Sequence, residues 1–207
     1  VNVELLNVDC MEYMATQPDN AFDLAIVDPP YGIGNWVQTT GNVRGEPVTW
    51  NDSPPSAEYF TELVRVSKHR IIWGSNYYNF VDGRGGAIVW NKQVPRESNM
   101  SICEIASYDR LARVDYVHIK WQNINRKENV IHPCQKPVKL YEWLLTNYAK
   151  PGQRILDTHL GSGSSAIAAH YFGCDFVGCE IDPDYYAAAK ARFDQETRQM
   201  ALLDHDD

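Results

Sequence analysis

Apolar positions along the chain follow two alternating periods. Short runs rich in β-branched residues predict strands at Val3–Val8, Asp23–Val27, Arg70–Trp73, Ala87–Trp90, Ile102–Ser107, Tyr116–Trp121, Arg154–Asp157 and Phe176–Cys179. Helical spacing marks three segments between them. Ser56 is placed to cap Ala57–Lys68, whose Tyr59, Phe60, Leu63 and Val64 share a face. Pro137 stands where a helix begins, ahead of Leu140, Tyr141, Leu144, Leu145 and Tyr148. Asp182-Pro183 is a cap followed by a first-turn proline, opening a helix over Asp184–Met200. Strands alternating with helices predict an α/β fold with a mostly parallel sheet. The three runs between Ala87 and Trp121 have no helix between them and predict an antiparallel portion.

Residues 32–55 break both periods. Gly32, Gly34, Gly41, Gly45, Pro47, Pro54 and Pro55 make this a long loop, of the kind that is usually functional or mobile. Asp204–Asp207 is an acidic end expected to fray. A length of 207 residues suits one domain, 1–207, with one continuous core. No apolar run is long enough to span a bilayer, and Val1-Asn2-Val3-Glu4 lacks the layout of a signal peptide. The five cysteines are scattered without a Cys-x-x-Cys pair, which speaks against disulfides and a metal site and for a cytoplasmic setting.

Charge adds one feature. The net charge of −8 opposes a nucleic-acid partner at first sight. Residues 84–139, however, hold ten Lys or Arg against five acids, near +5, leaving the remainder near −13.

Three constellations carry candidate chemistry. Asp28-Pro29-Pro30-Tyr31 directly follows a predicted strand, at the carboxyl end where open α/β sheets bind ligands. The prolines fix the backbone, so a carboxylate and a carbonyl can together accept both protons of an –NH₂ group, while Tyr31 offers a flat face to a ring. Asp157-Thr158-His159-Leu160-Gly161-Ser162-Gly163-Ser164 is a strand, a Gly-x-Gly turn and the start of a small-residue helix. Nineteen residues after Gly161 comes Glu180, an acid able to accept both hydroxyls of a ribose, with Ile181 beside it. This pattern fits a nicotinamide dinucleotide as well as S-adenosylmethionine. His132-Pro133-Cys134-Gln135-Lys136-Pro137 is the third; alone it reads as a loop initiating a helix.

Together and in this order the three blocks resemble the β-class of DNA amino-methyltransferases, over most of the chain from Val8-Asp9-Cys10 to about Arg192. The resemblance implies a Rossmann-like S-adenosylmethionine-dependent methyltransferase fold, circularly permuted, with the Gly-rich strand beside the Asp28 strand at one topological switch point. It implies that Asp157 and Gly161, Ser162, Gly163 and Ser164 surround the methionine end of S-adenosylmethionine and that Glu180 holds the ribose. It further implies that Asp9 accepts from the adenine amine with Cys10 alongside, and that His132, Lys136 and Pro137 close the pocket. Two departures stand out: Cys134 replaces the family's usual Thr, and Thr158-His159 replaces a common Pro-Phe that would give the cofactor an apolar contact at His159.

The implied reaction is in-line attack of a base amine on the sulfonium methyl. Asp28 and the Pro29 carbonyl hold the amine hydrogens, and Tyr31 stacks on a base flipped out of double-stranded DNA. Asp at the first motif position points to adenine N6, with cytosine N4 as the alternative and RNA not excluded as the substrate. A nicotinamide-dependent oxidoreductase leaves Asp28–Tyr31 and His132–Pro137 unexplained; a catalytically silent DNA-binding subunit would have no need of Asp28 and Glu180. No separate recognition domain fits between Ser107 and His132, so base readout falls to loops, to a homodimer or to an additional specificity subunit. Lys92, Arg96, Arg126 and Lys127 are the expected phosphate contacts, while Arg110 and Arg113 are placed to pair with Asp109 and Asp115.

Overall fold

A computed structural model of the chain describes residues 1–34, 53–80, 83–97, 100–121 and 130–203, with side chains through 198. Most of the predicted 32–55 loop lies outside these residues, as do Arg126 and Lys127.

Among the described residues, eight strands form one sheet in the order β1-β8-β7-β2-β3-β5-β4-β6. They are β1 Val3–Asn7, β2 Leu24–Val27, β3 Arg70–Trp73, β4 Ala87–Asn91, β5 Cys103–Tyr108, β6 Val114–His118, β7 Arg154–Asp157 and β8 Asp175–Glu180. The helices are α1 Cys10–Ala15, α2 Ala57–Val66, α3 Val138–Tyr148, α4 Ser164–Phe172 and α5 Pro183–Leu203.

Strands β2 and β3 are buried on both faces, which is why Leu24–Val27 and Ile71–Trp73 read as continuous apolar runs. Leu24 and Ile26 of β2 join Ile71, Trp73 and Phe176 against α3 and α4. Their neighbours Ala25 and Val27 join Ile72, Leu156 and Val177 against α1 and α2, through Met14, Tyr59, Phe60 and Leu63. The result is three layers. At the centre β2 pairs in parallel with β7, Leu24 opposite Ile155. From β2 the chain leaves through α2 on one face, and from β7 through α4 on the other. A crevice therefore opens between the carboxyl ends of β2 and β7, the switch point that the family resemblance implied.

The strands between residues 87 and 118 form the expected antiparallel portion, with its extent narrowed to one reversed strand. Only β5 runs against its neighbours, pairing antiparallel with both β3 and β4; β4 and β6 are parallel. The turn after β5 passes beneath the start of β4, so β6 emerges on the far side. Gly86 N donates to Leu111 O at 3.0 Å there, and a Cβ on Gly86 would lie 2.3 Å from that oxygen. Strand β6 also ends earlier than its apolar run. Ile119 and Trp121 fold back onto the core, with Trp121 N donating to Lys92 O. Helix α1 escapes periodicity because it has six residues; its one local signal is Asp9, whose carboxylate accepts from Met11 N at 2.7 Å. Ser56 occupies the N-cap position of α2 without a side-chain cap bond, whereas Asp182 accepts from Asp184 N and Tyr185 N at the start of α5.

Candidate active site

A cavity of about 810 Å³ fills the crevice, large enough for two ring systems. Asp28, Pro29, Pro30 and Tyr31 line it from the end of β2; His159, Leu160, Gly161, Ser162 and Ser164 line it from the β7–α4 turn. Glu180 and Ile181 close it from β8, and His132, Pro133, Cys134, Gln135 and Lys136 from the segment leading into α3. A side chamber of about 270 Å³ adds Asp9, Cys10, Tyr59 and Thr158, and shares Pro30, His159, Glu180 and Ile181 with the main cavity. The three separated motifs thus meet at one site.

Four charged side chains form a line inside the main cavity. Lys136 Nζ makes a short hydrogen bond to Asp28 Oδ2 and lies 3.0 Å from Glu104 Oε2. Lys92 Nζ donates to Glu104 Oε1 at 3.0 Å. The Tyr31 hydroxyl donates to Asp28 Oδ1 at 2.8 Å and accepts from Lys136 at 3.3 Å. Burial, reinforced by the Glu104 charge, pushes the Asp28 carboxyl above its ordinary range against the pull of Lys136. Burial also works against the charges of Glu104 and Lys136, but the ion pairs win: Glu104 is drawn down to about 2 and the Lys136 ammonium is held above its usual value.

Aromatic groups set the shape of this end. Tyr31 stacks on Tyr77 with centroids 5.0 Å apart and planes 14° from parallel, so one face of the ring expected to stack on a base is already covered. Tyr77 is itself 42% exposed and lines the cavity. Tyr78 donates to the Pro29 carbonyl at 2.7 Å, which fixes the direction of the backbone acceptor. A carbonyl has a second lone pair to offer.

The opposite end is a turn held from behind. Asp157 lines neither cavity. It is 1% exposed and accepts from Ser165 Oγ at 2.6 Å and from His159 N at 3.0 Å, so it braces the turn instead of facing the cavity. Burial raises its carboxyl to about 7. Gly163 and Pro137 also lie outside the lining, Gly163 as the left-handed N-cap of α4 and Pro137 as the N-cap of α3. Glu180 accepts from Gly161 N at 2.9 Å and from Asp182 N at 3.0 Å, which orients it at the junction of the two chambers. Burial lowers both His132 and His159 to about 4, leaving both rings neutral near pH 7. His159 packs edge-on to Tyr59 at 5.5 Å, an uncharged aromatic wall where the resemblance led one to expect Phe.

Several site residues were not apparent from sequence. Glu104 and Tyr78 had no motif, and Lys92 was expected at the DNA surface. Lys92 is 6% exposed and paired with Glu104, so it is not a free phosphate ligand; the approach of β4 to β5 draws it inward. Arg96 is exposed as expected. Arg113 pairs with Asp115 at 2.6 Å, whereas Asp109 binds His69 and Arg70. Among the described residues no group of three or more His, Cys, Asp or Glu is arranged to hold a metal ion, and no helix is long and apolar enough to cross a membrane.

Comparison with known proteins agrees with this geometry. The family model for N6/N4-type DNA methylases matches residues 71–191. The type II methyltransferase M.HpaI of Haemophilus parainfluenzae is 33% identical over 234 residues, covering 90% of this chain and 72% of that protein. The putative methylase YubD of Escherichia coli (strain K12) is 26% identical, covering 93% of this chain and 90% of its own. In fold, the chain is similar to the PvuII DNA methyltransferase (cytosine-N4-specific), with a TM-score of 0.66 at 14% identity over 96% of this chain and 91% of that one. It is also similar to M1.HpyAVI solved as a SAM complex, with a TM-score of 0.60 at 20% identity over 92% and 99%.

Proposed function

The chain belongs to the N6/N4 DNA methylase family, and from that premise we propose that it transfers the methyl group of S-adenosylmethionine to N6 of a flipped-out adenine in double-stranded DNA. The observation that carries this reading is the single cavity in which the Asp28–Tyr31 turn faces the Gly161–Ser164 turn and Glu180.

The donor chemistry fits S-adenosylmethionine. Asp9, Glu180 and Asp28 bring carboxylates to the two chambers, and the lysines there, Lys92 and Lys136, are each paired with an acid. Such a lining suits a cationic sulfonium better than the diphosphate of a dinucleotide, which would meet like charge. Glu180 is placed to hold the ribose hydroxyls, Asp9 the adenine amine, and His132 and His159 to wall the cofactor with neutral rings. When bound, S-adenosylmethionine would supply a methyl group already activated by its sulfonium sulfur, which can depart as a neutral thioether, so the chain has only to orient the acceptor.

Asp28 and the Pro29 carbonyl accept the two hydrogens of the base amine, which localises the nitrogen lone pair toward the methyl. As the nitrogen–carbon bond forms and the carbon–sulfur bond breaks, the nitrogen becomes positive and both acceptors bind it more strongly, which lowers the barrier; the surplus amine proton is then lost to solvent. Asp at position 28 favours adenine over cytosine in this reading. A single catalytic domain is part of it, supported by the one continuous sheet; base readout then comes from loops, a second copy or a further subunit.

The test is Asp28→Ala with radiolabelled S-adenosylmethionine and DNA, followed by hydrolysis and chromatography of the methylated base. Loss of transfer with cofactor affinity retained, and N6-methyladenine as the wild-type product, are expected. Wild-type turnover in the variant refutes the assignment of Asp28, and N4-methylcytosine refutes that of the base.

A further inference from the structure

We propose that Glu104 is a positioning residue for methyl transfer: by sharing the Lys136 ammonium, it keeps that ammonium from neutralising Asp28, whose carboxylate stays accepting toward the target amine. The inference rests on the assignment of Asp28 to that amine and adds a group that no motif identifies.

The reversed strand brings Glu104 to the site. Parallel strands deliver their last residues to the carboxyl edge of the sheet, but β5 runs the other way and delivers its first ones. Glu104, the second residue of β5, lies opposite Trp90, and Lys92 N donates to Ile102 O at 2.9 Å in the same ladder. Glu104 and Lys92 are thereby fixed by backbone register beside Asp28, and Lys136 reaches the same point from the segment before α3.

The alternation Asp28–Lys136–Glu104–Lys92 has a direction. Its inner end, Asp28, is the proposed acceptor, and its outer end is Lys92. If Lys136 had only Asp28 as partner, the two would close into a neutral pair, with little to offer a nitrogen that turns positive. An ammonium so near that nitrogen would also oppose the developing charge. With Glu104 on its other side, Lys136 is balanced from two directions, and the three innermost groups carry one net negative charge. Against the burial that opposes its charge, Lys136 and then Lys92 on the second oxygen keep the Glu104 carboxylate ionised, with its pKa drawn down to about 2. Glu104 acts through Lys136 and need not touch the base.

The experiment compares Glu104→Gln, Lys136→Gln, the double variant and Asp28→Ala for kcat of methyl transfer, and for S-adenosylmethionine Kd by calorimetry. Glu104→Gln is expected to lower kcat at least about tenfold with Kd within about threefold of wild type. Glu104 also accepts from the Tyr31 hydroxyl at 3.2 Å and from Lys92, but its proposed action on Asp28 runs through the ammonium, so the double variant is expected to be no slower than the slower single variant. A kcat for Glu104→Gln within about twofold of wild type overturns the proposal, as do losses that multiply in the double variant or a Kd that weakens in step with kcat. Should Glu104→Gln fail to fold, the double variant is set against Lys136→Gln alone: equal rates support the proposal and a slower double variant overturns it. Asp28→Ala separates the two levels. If it remains active the amine assignment itself fails, whereas an inactive Asp28→Ala beside an active Glu104→Gln sinks only the role of Glu104.

Discussion

Gly74→Ala is the substitution whose effect is most directly calculable. Gly74 ends β3 at φ +71°, and a Cβ there would lie 2.2 Å from Tyr31 Cε1 and 2.5 Å from Cδ1, where ordinary contact begins near 3.4 Å. Two costs follow. A left-handed backbone costs an L-residue roughly 1–2 kcal/mol. The collision then forces the Tyr31 ring back by about 1 Å, endangering the 2.8 Å bond to Asp28. A hydrogen bond to a charged group contributes about 1.5–3 kcal/mol. The sum is about 2.5–5 kcal/mol of lost stability, and a displacement of this size beside the reacting groups is expected to reduce transfer by about 10²-fold. Gly152→Ala is the control, because Gly152 has φ +80° and nothing within 4 Å of its added Cβ. It should lose only the backbone share. Urea unfolding and steady-state methyl transfer on both variants measure the difference. Equal destabilisation of the two, with Gly74→Ala turning over at the wild-type rate, would refute the close approach of Gly74 to Tyr31.

Two further expectations concern charge. The folded-state pKa of Asp157, about 7, lies above its ordinary 3.8, so its contribution is fully present below about 3.8 and is lost as pH rises through about 7. His132 and His159, held near 4, act in the opposite sense as pH falls from 6.5 toward 4. Asp157→Asn removes only the first effect, so its stability relative to wild type should climb between about pH 4 and 7 in urea melts; a flat difference would show that Asp157 is ionised throughout. For DNA binding, Arg96→Ala should lower the slope of log K against log salt by roughly one, and Arg126→Ala/Lys127→Ala by roughly two, if each side chain neutralises a phosphate. An unchanged slope in a salt titration removes that residue from the DNA surface.

What the sequence determined by itself was the class of fold, most strand positions and the three motif blocks. Strands such as Arg70–Trp73 and Arg154–Asp157 are buried on both faces, so a short unbroken apolar run, Ile71–Trp73 or Ile155–Leu156, marks each of them. Two of the blocks were legible because they are local, a turn after a strand and a Gly-x-Gly bend with an acid at the end of the next strand; His132–Pro137 became legible only through its order between them. Tertiary structure decided what depends on residues far apart in the chain. Whether β6 pairs parallel to β4 turns on a loop passing beneath Gly86, which no periodicity encodes. Asp157 belongs to the Gly-rich motif, but only packing shows it turned toward Ser165 and away from the cavity. Lys92 read as a surface cation, because exposure is set by the neighbour that the sheet supplies, here Glu104. Glu104 itself meets Tyr31 across 73 residues of chain, through a strand that runs backwards. Sequence periodicity records which side of an element is buried; which charged groups then face one another is decided by the order and direction of the strands.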